Sequence, residues 1–398
     1  MLSSRAQVGL LGVCFAFSAT SASLNVAAAS LVGHALAENK ALATLPLSLN
    51  LLGTMSAGLP ASLLMRRFGR RAIFFLGVFL GALGASTAAY AIMLESFFLF
   101  CLSIYCIGLL LGIGQLYRFA AVDVAEADFR ARAISLVMAG GLVAGILGPG
   151  IASFARDLLP EARFAGSYLT IIGLYAIIAL LLMFVRLPPM SSGPEGSVKR
   201  PLSLVFRQPK LIAALTSASL GYAVMALVMT ATPLAMTHHH HEFPDAALVI
   251  QWHVVGMYAP SFFTGNLIQR FGAVRIMALG VLLNVICVGI NLSGQTWWHF
   301  WVALILLGVG WNFMFVGGTS LLTETYLPEE KATVQGVNDL IVFALAATGS
   351  LMAGVLLNLF GWQWVNLLAL PILALAFGVL GWYARTLSTQ EAAEAAPS

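Results

Sequence analysis

Charge is what this sequence has least of. Asp, Glu, Lys and Arg make up 9% of its 398 residues, against about a quarter in a water-facing domain. With 60% hydrophobic residues and a mean hydropathy of +0.92, the chain has too little polar surface to face water, so a bilayer must be its solvent. Cysteine is also sparse. Cys14, Cys101, Cys106 and Cys287 sit in apolar runs without a CxxC pair or a neighbouring histidine, which leaves no disulfide framework and no cysteine metal site. Catalytic signatures are missing too: there is no HExxH, no GxSxG, no nucleotide-binding glycine loop and no pair of intramembrane aspartates. Neither an enzyme nor a cofactor is expected.

What remains is long apolar stretches. A spanning helix takes about 20 apolar residues, and the stretches predict twelve spans at about 8–32, 42–64, 72–94, 97–120, 133–155, 165–186, 211–236, 246–268, 274–293, 299–321, 333–357 and 365–384. The expected fold is therefore an all-α integral membrane protein with no room for a sizeable soluble domain. The net charge of +4 does not indicate nucleic acid, because the basic residues are sorted by side. With the N-terminus inside, seventeen of the 20 Lys and Arg fall in cytoplasmic segments, and only Lys40, Arg156 and Arg163 fall outside. That bias puts both chain ends in the cytoplasm. The stretch from Arg5 to Ala27-Ala28-Ala29-Ser30 imitates a secretory signal, but its removal would leave eleven spans, so it is read as the first helix.

The chain also repeats itself. Leu64-Met65-Arg66-Arg67-Phe68-Gly69, running on to Leu76-Gly77-Val78, returns 203 residues later as Leu267-Ile268-Gln269-Arg270-Phe271-Gly272, running on to Leu279-Gly280-Val281. Leu110-Leu111-Gly112-Ile113-Gly114 returns at an offset of 196 as Leu306-Leu307-Gly308-Val309-Gly310. Such self-similarity predicts two pseudo-symmetric six-helix halves. The Pro- and Gly-rich, then basic, segment 188–210 divides them. The expected organisation is a first half over 1–187, a cytoplasmic linker over 188–210, a second half over 211–385 and a disordered cytoplasmic tail over 386–398.

These loops resemble those of the major facilitator superfamily, whose loop between spans 2 and 3 has the form Gly-x-Leu-x-Asp-Arg-x-Gly-Arg-Lys. Ser62-Leu63-Leu64-Met65-Arg66-Arg67-Phe68-Gly69-Arg70-Arg71 occupies that place. In the second half Gly265, Leu267, Arg270 and Gly272 keep the pattern, while Arg66 and Gln269 stand where the acid belongs. The resemblance covers essentially the whole chain and implies alternating access, with Arg67, Gly69, Arg70, Arg71, Gly265, Arg270 and Gly272 forming the cytoplasmic gate motif. Antiporters of the superfamily carry an Arg four residues before the glycine matched by Gly112. Here Gly108 stands there, which favours uptake over efflux. The span 5 stripe of small residues is kept with substitutions at Ser135, Ala144, Gly148-Pro149, Ala152 and Ser153. The implied location is the bacterial inner membrane, and the implied state a monomer among lipid.

Polar groups inside a bilayer are costly and mark an interior or a substrate path. In span 1, Ser18, Ser21 and Asn25 share one face, and the amide of Asn25 needs partners that a helix cannot supply. Gln115, Tyr117 and Arg118 cluster in span 4, where Arg118 either holds an anionic group or pairs with Asp123 at the inner rim. Gln335, Asn338 and Asp339 form a polar face in span 11, and Asp339 is the one acid placed well inside a span. It is the leading proton-coupling candidate, with His253 second; an ion pair with Arg118 is the alternative role for Asp339. Gln251, Trp252 and His253 in span 8, with Tyr222, Tyr258, Trp311 and Asn312, suggest a wall of aromatic and amide groups suited to a planar or amphipathic solute. Trp297, Trp298, Trp362 and Trp364 read as interfacial anchors. The run His238-His239-His240-His241-Glu242 has metal-ligand types but no second cluster with ligand spacing, and reads as a solvated loop with no metal.

A secondary transporter of a small organic solute, proton-coupled and tilted towards riboflavin-like or other aromatic solutes, is therefore the leading expectation. The alternatives are a drug or metabolite efflux antiporter, a metal or metallophore carrier using the histidine loop, and a transport-derived sensor.

Overall fold

The computed structural model describes residues 3–38, 42, 45–159, 161–188 and 200–395. Among these residues regular structure is helical throughout, and twelve helices or helix pairs are long and apolar enough to cross a membrane. The all-α architecture expected from the sequence is the one observed.

Two compact units divide the chain: residues 1–193 with Pro328–Leu340, and Pro194–Leu327 with the residues from Ile341 onward. The first contains α1 (Ser4–Leu36), α2 (Leu45–Phe68), α3 (Arg70–Met93), α4 (Phe97–Gln115), α5 (Tyr117–Val124), α6 (Arg130–Ala139), α7 (Gly141–Arg156) and α8 (Ala165–Phe184). The second contains the short α9 (Leu202–Val205), then α10 (Pro209–His238), α11 (Phe243–Tyr258), α12 (Ser261–Phe271), α13 (Ala273–Ser293) and α14 (Trp297–Leu322). Helix α15 (Lys331–Phe360) gives its first ten residues to the first unit and the rest to the second, which ends in α16 (Trp362–Ala395).

Local chemistry explains several boundaries. The Ser3 hydroxyl caps α1 by accepting from the Ala6 amide at 3.2 Å, and Ser96 caps α4 through Leu99 N. Pro260, which lacks an N–H, lies at the break between α11 and α12. The fourth span is also broken, at Leu116, so Tyr117, Arg118 and Asp123 sit on a separate short helix. Helix α16 continues to Ala395, so the segment expected to be a disordered tail from 386 is helical up to that residue. Most of the expected linker, 189–199, lies outside the described residues.

The internal repeat has a direct structural counterpart. Gly69 caps α3 at φ 82°, ψ 155°, and Gly272 caps α13 at φ 84°, ψ 149°, a region essentially reserved for glycine. Gly112 and Gly308, paired by the second echo, each face the second span of their own half. A side chain on Gly112 would run into Thr54 and Ala57 of α2, and one on Gly308 into Met257 of α11, so both glycines permit close helix approach.

Candidate functional site

Asp339 lies two turns into α15 with its carboxylate fully buried, as is the guanidinium of Arg118 on α5, and the two form an ion pair. Arg118 Nη1 also donates to the Gln115 carbonyl at 2.7 Å and reaches Gln115 Oε1 at 3.4 Å. Its guanidinium carbon stands 4.5 Å from the Phe119 ring centroid, a cation–π contact. Asn338 Nδ2 donates to Asp339 Oδ1 at 2.9 Å. One carboxylate oxygen therefore carries both bonds, and Asp339 Oδ2 has no hydrogen-bond partner among the described residues. The backbone can come this close because Gly58 of α2 faces Asp339: a Cβ there would sit 3.2 Å from Asp339 Cβ.

One turn earlier on α15 a second charged layer begins. Arg70 Nε donates to Asp123 Oδ2 at 2.7 Å, and Arg70 Nη2 donates to Gln335 Oε1 at 2.9 Å. Lys331 pairs with the other oxygen of Asp123. Lys331, Gln335 and Asp339 are spaced i, i+4, i+8, so one face of the first turns of α15 presents every one of these contacts. Buried charges survive in a bilayer only when paired in this manner.

In the second unit the grouping is aromatic. Trp311 stacks on Phe315 with centroids 5.1 Å apart and planes 12° apart. Tyr222 meets Trp311 edge-on at 5.3 Å, Tyr258 meets it at 5.8 Å, and Phe343 meets Tyr222 at 5.5 Å. Helices α10, α11, α14 and α15 thus each supply a ring to one cluster. Trp311 is 1% exposed, and its indole N–H has no partner among the described residues. The two tyrosines are half-buried, so the hydroxyl-bearing rings are its accessible part.

The superfamily model for Major Facilitator Superfamily proteins matches this chain over residues 10–259 and 217–398. The chain belongs to the major facilitator superfamily. Among similar proteins, the riboflavin transporter RfnT of Brucella anthropi is 44% identical over 375 residues, 93% of this chain and 94% of that one. The uncharacterized MFS-type transporter YdeG of Bacillus subtilis is 28% identical over 83% of this chain and 81% of its own length. The crystal structure of the E. coli fucose:proton symporter FucP superposes with a TM-score of 0.77 over 97% of this chain and 99% of that one, at 19% identity, a likeness of fold. This superfamily member is a multi-pass membrane protein of the bacterial transporter type and a secondary transporter of a small organic solute.

Within that framework the residues singled out from sequence separate. Of the gate-motif arginines, Arg70 alone is buried in the charged layer. Arg67 and Arg270 are exposed and lie over Phe68 and Phe271 at 5.3 and 5.2 Å, a matched pair across the repeat. Arg71, also exposed, donates to the Met183 carbonyl at 3.1 Å, and Gly265 is buried within α12. Asn312 spends its amide on packing: Nδ2 donates to the Met257 carbonyl at 2.7 Å and to Ser261 Oγ at 2.6 Å, and Oδ1 accepts from Thr264 at 2.7 Å. That bonding fixes α14 to the α11–α12 break.

His253 Nδ1 lies 2.7 Å from the Leu304 carbonyl, so Nδ1 carries the proton, and the buried Nε2 is without a partner among the described residues. Gln251 is half-buried beside it in sequence. Trp252 points elsewhere. It is 42% exposed and meets Trp301 at 5.7 Å, in a group with Trp297 and Trp298. Asn25 Oδ1 accepts from the Tyr168 hydroxyl of α8 at 3.3 Å, and the Tyr117 ring packs on Phe74 at 4.5 Å.

In the histidine loop, His241 Nε2 lies 2.8 Å from the Gln295 carbonyl, and the His239 and His241 rings lean on Phe300. Among the described residues no three His, Cys, Asp or Glu side chains converge to hold a metal ion. The pairing of Arg118 with Asp123 offered by the sequence is not the one formed: Arg118 takes Asp339, and Asp123 takes Arg70 and Lys331, two partners that sequence reasoning missed. The only signal for either was an acid and a base near the inner ends of spans 4 and 11.

Proposed function

We propose that this chain carries riboflavin, or a flavin close to it, into the bacterial cytoplasm across the inner membrane, driven by the proton gradient, with both termini on the cytoplasmic side. The observation that carries the reading is 44% identity along nearly the full length of both chains to a riboflavin transporter. The Trp311 cluster supports it on independent grounds. A flavin ring system is planar, aromatic and uncharged, and the half-buried rings of Tyr222 and Tyr258, backed by the buried rings of Trp311, Phe315 and Phe343, offer stacking surfaces, each worth about 0.5–1.5 kcal/mol beyond the area it buries.

Asp339 is the proposed proton carrier. Its Oδ1 holds Arg118 and Asn338 while Oδ2 is bare, so a proton can be accepted on an oxygen that no existing bond occupies. Arg118 faces the carboxyl from α5, Asn338 and Gln335 share its own helix, and Arg70 acts from α3 through Gln335. Loss of the carboxylate charge weakens the hold on Arg118, and proton uptake is thereby tied to the pairing at the start of α15.

The test is uptake of labelled riboflavin into proteoliposomes with and without an inward proton gradient. Gradient-stimulated accumulation is expected in wild type. Asp339→Asn should keep downhill exchange and lose gradient-driven accumulation, whereas Tyr222→Leu should raise the KM for riboflavin about 2- to 12-fold, the equivalent of one stacking contact. Absence of riboflavin transport in wild type refutes the substrate. A gradient response retained in Asp339→Asn refutes the proton carrier.

A further inference from the structure

The turn between α2 and α3 carries Arg66, Arg67, Arg70 and Arg71, and the charged layer uses only one of them. Arg70 is buried against Asp123, whereas Arg66, Arg67 and Arg71 are exposed. A further arginine, Arg186, is exposed just beyond the end of α8. Arg71 ties the two places together. Its Nη2 donates to the Met183 carbonyl in the last turn of α8 at 3.1 Å, a short way along the chain from Arg186. The Arg186 backbone N–H donates to Gln7 Oε1 of α1 at 3.0 Å, so the segment that leaves α8 is held at the same corner of the first unit.

No acid answers these charges. Helices α1, α2, α3 and α8 contain neither Asp nor Glu. None of Arg66, Arg67, Arg71 and Arg186 takes part in an ion pair among the described residues, and Asp123 is already shared by Arg70 and Lys331. Position 66 is where the superfamily loop has its acid, so Arg66 puts a cation where a neutralising group would stand. The second copy of the repeat is built differently. At the offset of 203, Arg66 falls on Gln269, Arg70 on Ala273 and Arg71 on Val274, and Lys210 of that unit is paired with Glu324.

Apolar side chains continue from the arginines into the membrane. Helices α3 and α8 pack against each other, and each keeps an exposed apolar stripe: Leu76 and Phe79 on α3, Leu180 and Met183 on α8. In a bilayer such stripes face acyl chains, which are as apolar as leucine. The Arg71 guanidinium carbon stands 5.8 Å from the Phe75 ring centroid, so the stem runs along the apolar surface while the charged head lies at its edge. Arginine has five N–H donors in a planar fork that matches phosphate oxygens. The Met183 carbonyl engages one nitrogen of Arg71 and leaves the rest of the fork available.

We propose that this corner is a binding site for an anionic phospholipid. Arg71 and Arg186 hold the phosphodiester, Arg66 and Arg67 add to the positive field, and the acyl chains lie along Leu76, Phe79, Leu180 and Met183. Charge selects the occupant: a zwitterionic lipid brings its own cation to a place that already has four without a counter-charge, whereas an anionic headgroup supplies what the protein lacks. With the orientation proposed above, the site lies in the inner leaflet. It holds whichever solute is carried.

Binding to the full-length protein in micelles tests the site, with lipid adducts followed by native mass spectrometry. The probes are phosphatidylglycerol, phosphatidylcholine with the same acyl chains, and inorganic phosphate. Wild type should bind phosphatidylglycerol more tightly than phosphatidylcholine. Arg71→Gln and Arg186→Gln should each weaken phosphatidylglycerol about 5-fold, the effect of one basic residue at an anionic surface, and leave phosphatidylcholine unchanged. Arg275→Gln, at an exposed base of the second unit, should change neither lipid. Equal affinity of wild type for the two lipids overturns the site. So does a wild-type preference kept by Arg71→Gln and Arg186→Gln, or an equal loss in Arg275→Gln, which would show a diffuse charge effect. Displacement of phosphatidylglycerol by an equal concentration of inorganic phosphate would assign the arginines to a soluble anion and overturn the lipid.

A measurement on wild type alone covers the case of variants that fail to fold. In nanodiscs, phosphatidylglycerol with a photoactivatable group beside its phosphate should crosslink to residues 66–76 and 180–188 in preference to residues 269–279 of the second copy. Crosslinks shared evenly between the two copies overturn the proposal.

Discussion

Removing one partner from the Arg118–Asp339 pair should be among the most damaging single changes available in this chain. Both side chains are 0% exposed, so neither is relieved by water when the other is lost. Two unit charges about 4 Å apart attract by roughly 4 kcal/mol at an effective dielectric of about 20, and breaking a buried pair from one side costs about 3–5 kcal/mol. That corresponds to a factor of roughly a hundred to a few thousand in the ratio of folded to unfolded protein. The scale is diagnostic, because neutral interhelical hydrogen bonds in membranes average only about 0.6 kcal/mol. Asp339→Asn keeps the volume and the bond from Asn338 but leaves the Arg118 charge without its carboxylate counter-charge. Arg118→Met keeps much of the apolar stem over Phe119 and strands the carboxylate. Each variant should lose about 3–5 kcal/mol in a denaturant titration in mixed micelles followed by circular dichroism. The double variant should lose no more than either single one, since it buries no lone charge. Single variants within about 0.6 kcal/mol of wild type, or a double variant whose loss is the sum of the two, would refute the pairing as the source of stability.

Two further outcomes follow from the geometry. Gly69→Ala and Gly272→Ala meet no atom within 4 Å but must hold φ near 82° and 84°, so each should cost about 1–3 kcal/mol of stability from backbone strain alone; Gly289→Ala, equally unobstructed within α13, should cost nothing and serves as the control. In the histidine loop, burial first and then the neighbouring His241, His238 and His240 hold His239 below the ordinary value of 6.5. The fold favours its neutral form, so its contribution is present above pH 6.5 and is lost as the pH falls through the lower folded value. An imidazole-resolved NMR titration should give His239 a midpoint below 6.5, and a midpoint at or above 6.5 contradicts the contact with Phe300.

The spans and the duplication were legible because they rest on properties a single sequence states directly. Those properties are apolar length, the placement of Lys and Arg, and a glycine-dependent turn recurring after 203 residues. The charged layer was legible only in part. Asp339 stood out as an acid in an apolar run, but Asp123 meets Arg70 across 53 residues and Lys331 across 208, separations that no local pattern encodes. Adjacency in sequence misled at span 8, since Trp252 follows Gln251 and precedes His253, yet successive helical residues do not share a face. Residue type misled at Asn312, because an amide does not disclose whether its bonds are already spent. The polar stripe of α1 was visible at i, i+3, i+7, while the tyrosines facing it, Tyr168 and Tyr175, have the apolar character of any span and gave no sign.

The duplication also exposes how the two halves have diverged. At the offset of 196 that joins Gly114 to Gly310, Phe119 falls on Phe315, Gln115 on Trp311, Arg118 on Met314 and Asp123 on Thr319. The same positions of the fourth span in each half thus carry an ionic group in the first and a ring cluster in the second. Among the described residues the charged side chains classed as buried, Arg70, Arg118, Glu330 and Asp339, all belong to the first unit, and the second has none. A bilayer makes such segregation sensible. An unpaired charge placed among the rings of the second unit would face the full desolvation penalty, whereas charges gathered on one face of α15 satisfy one another.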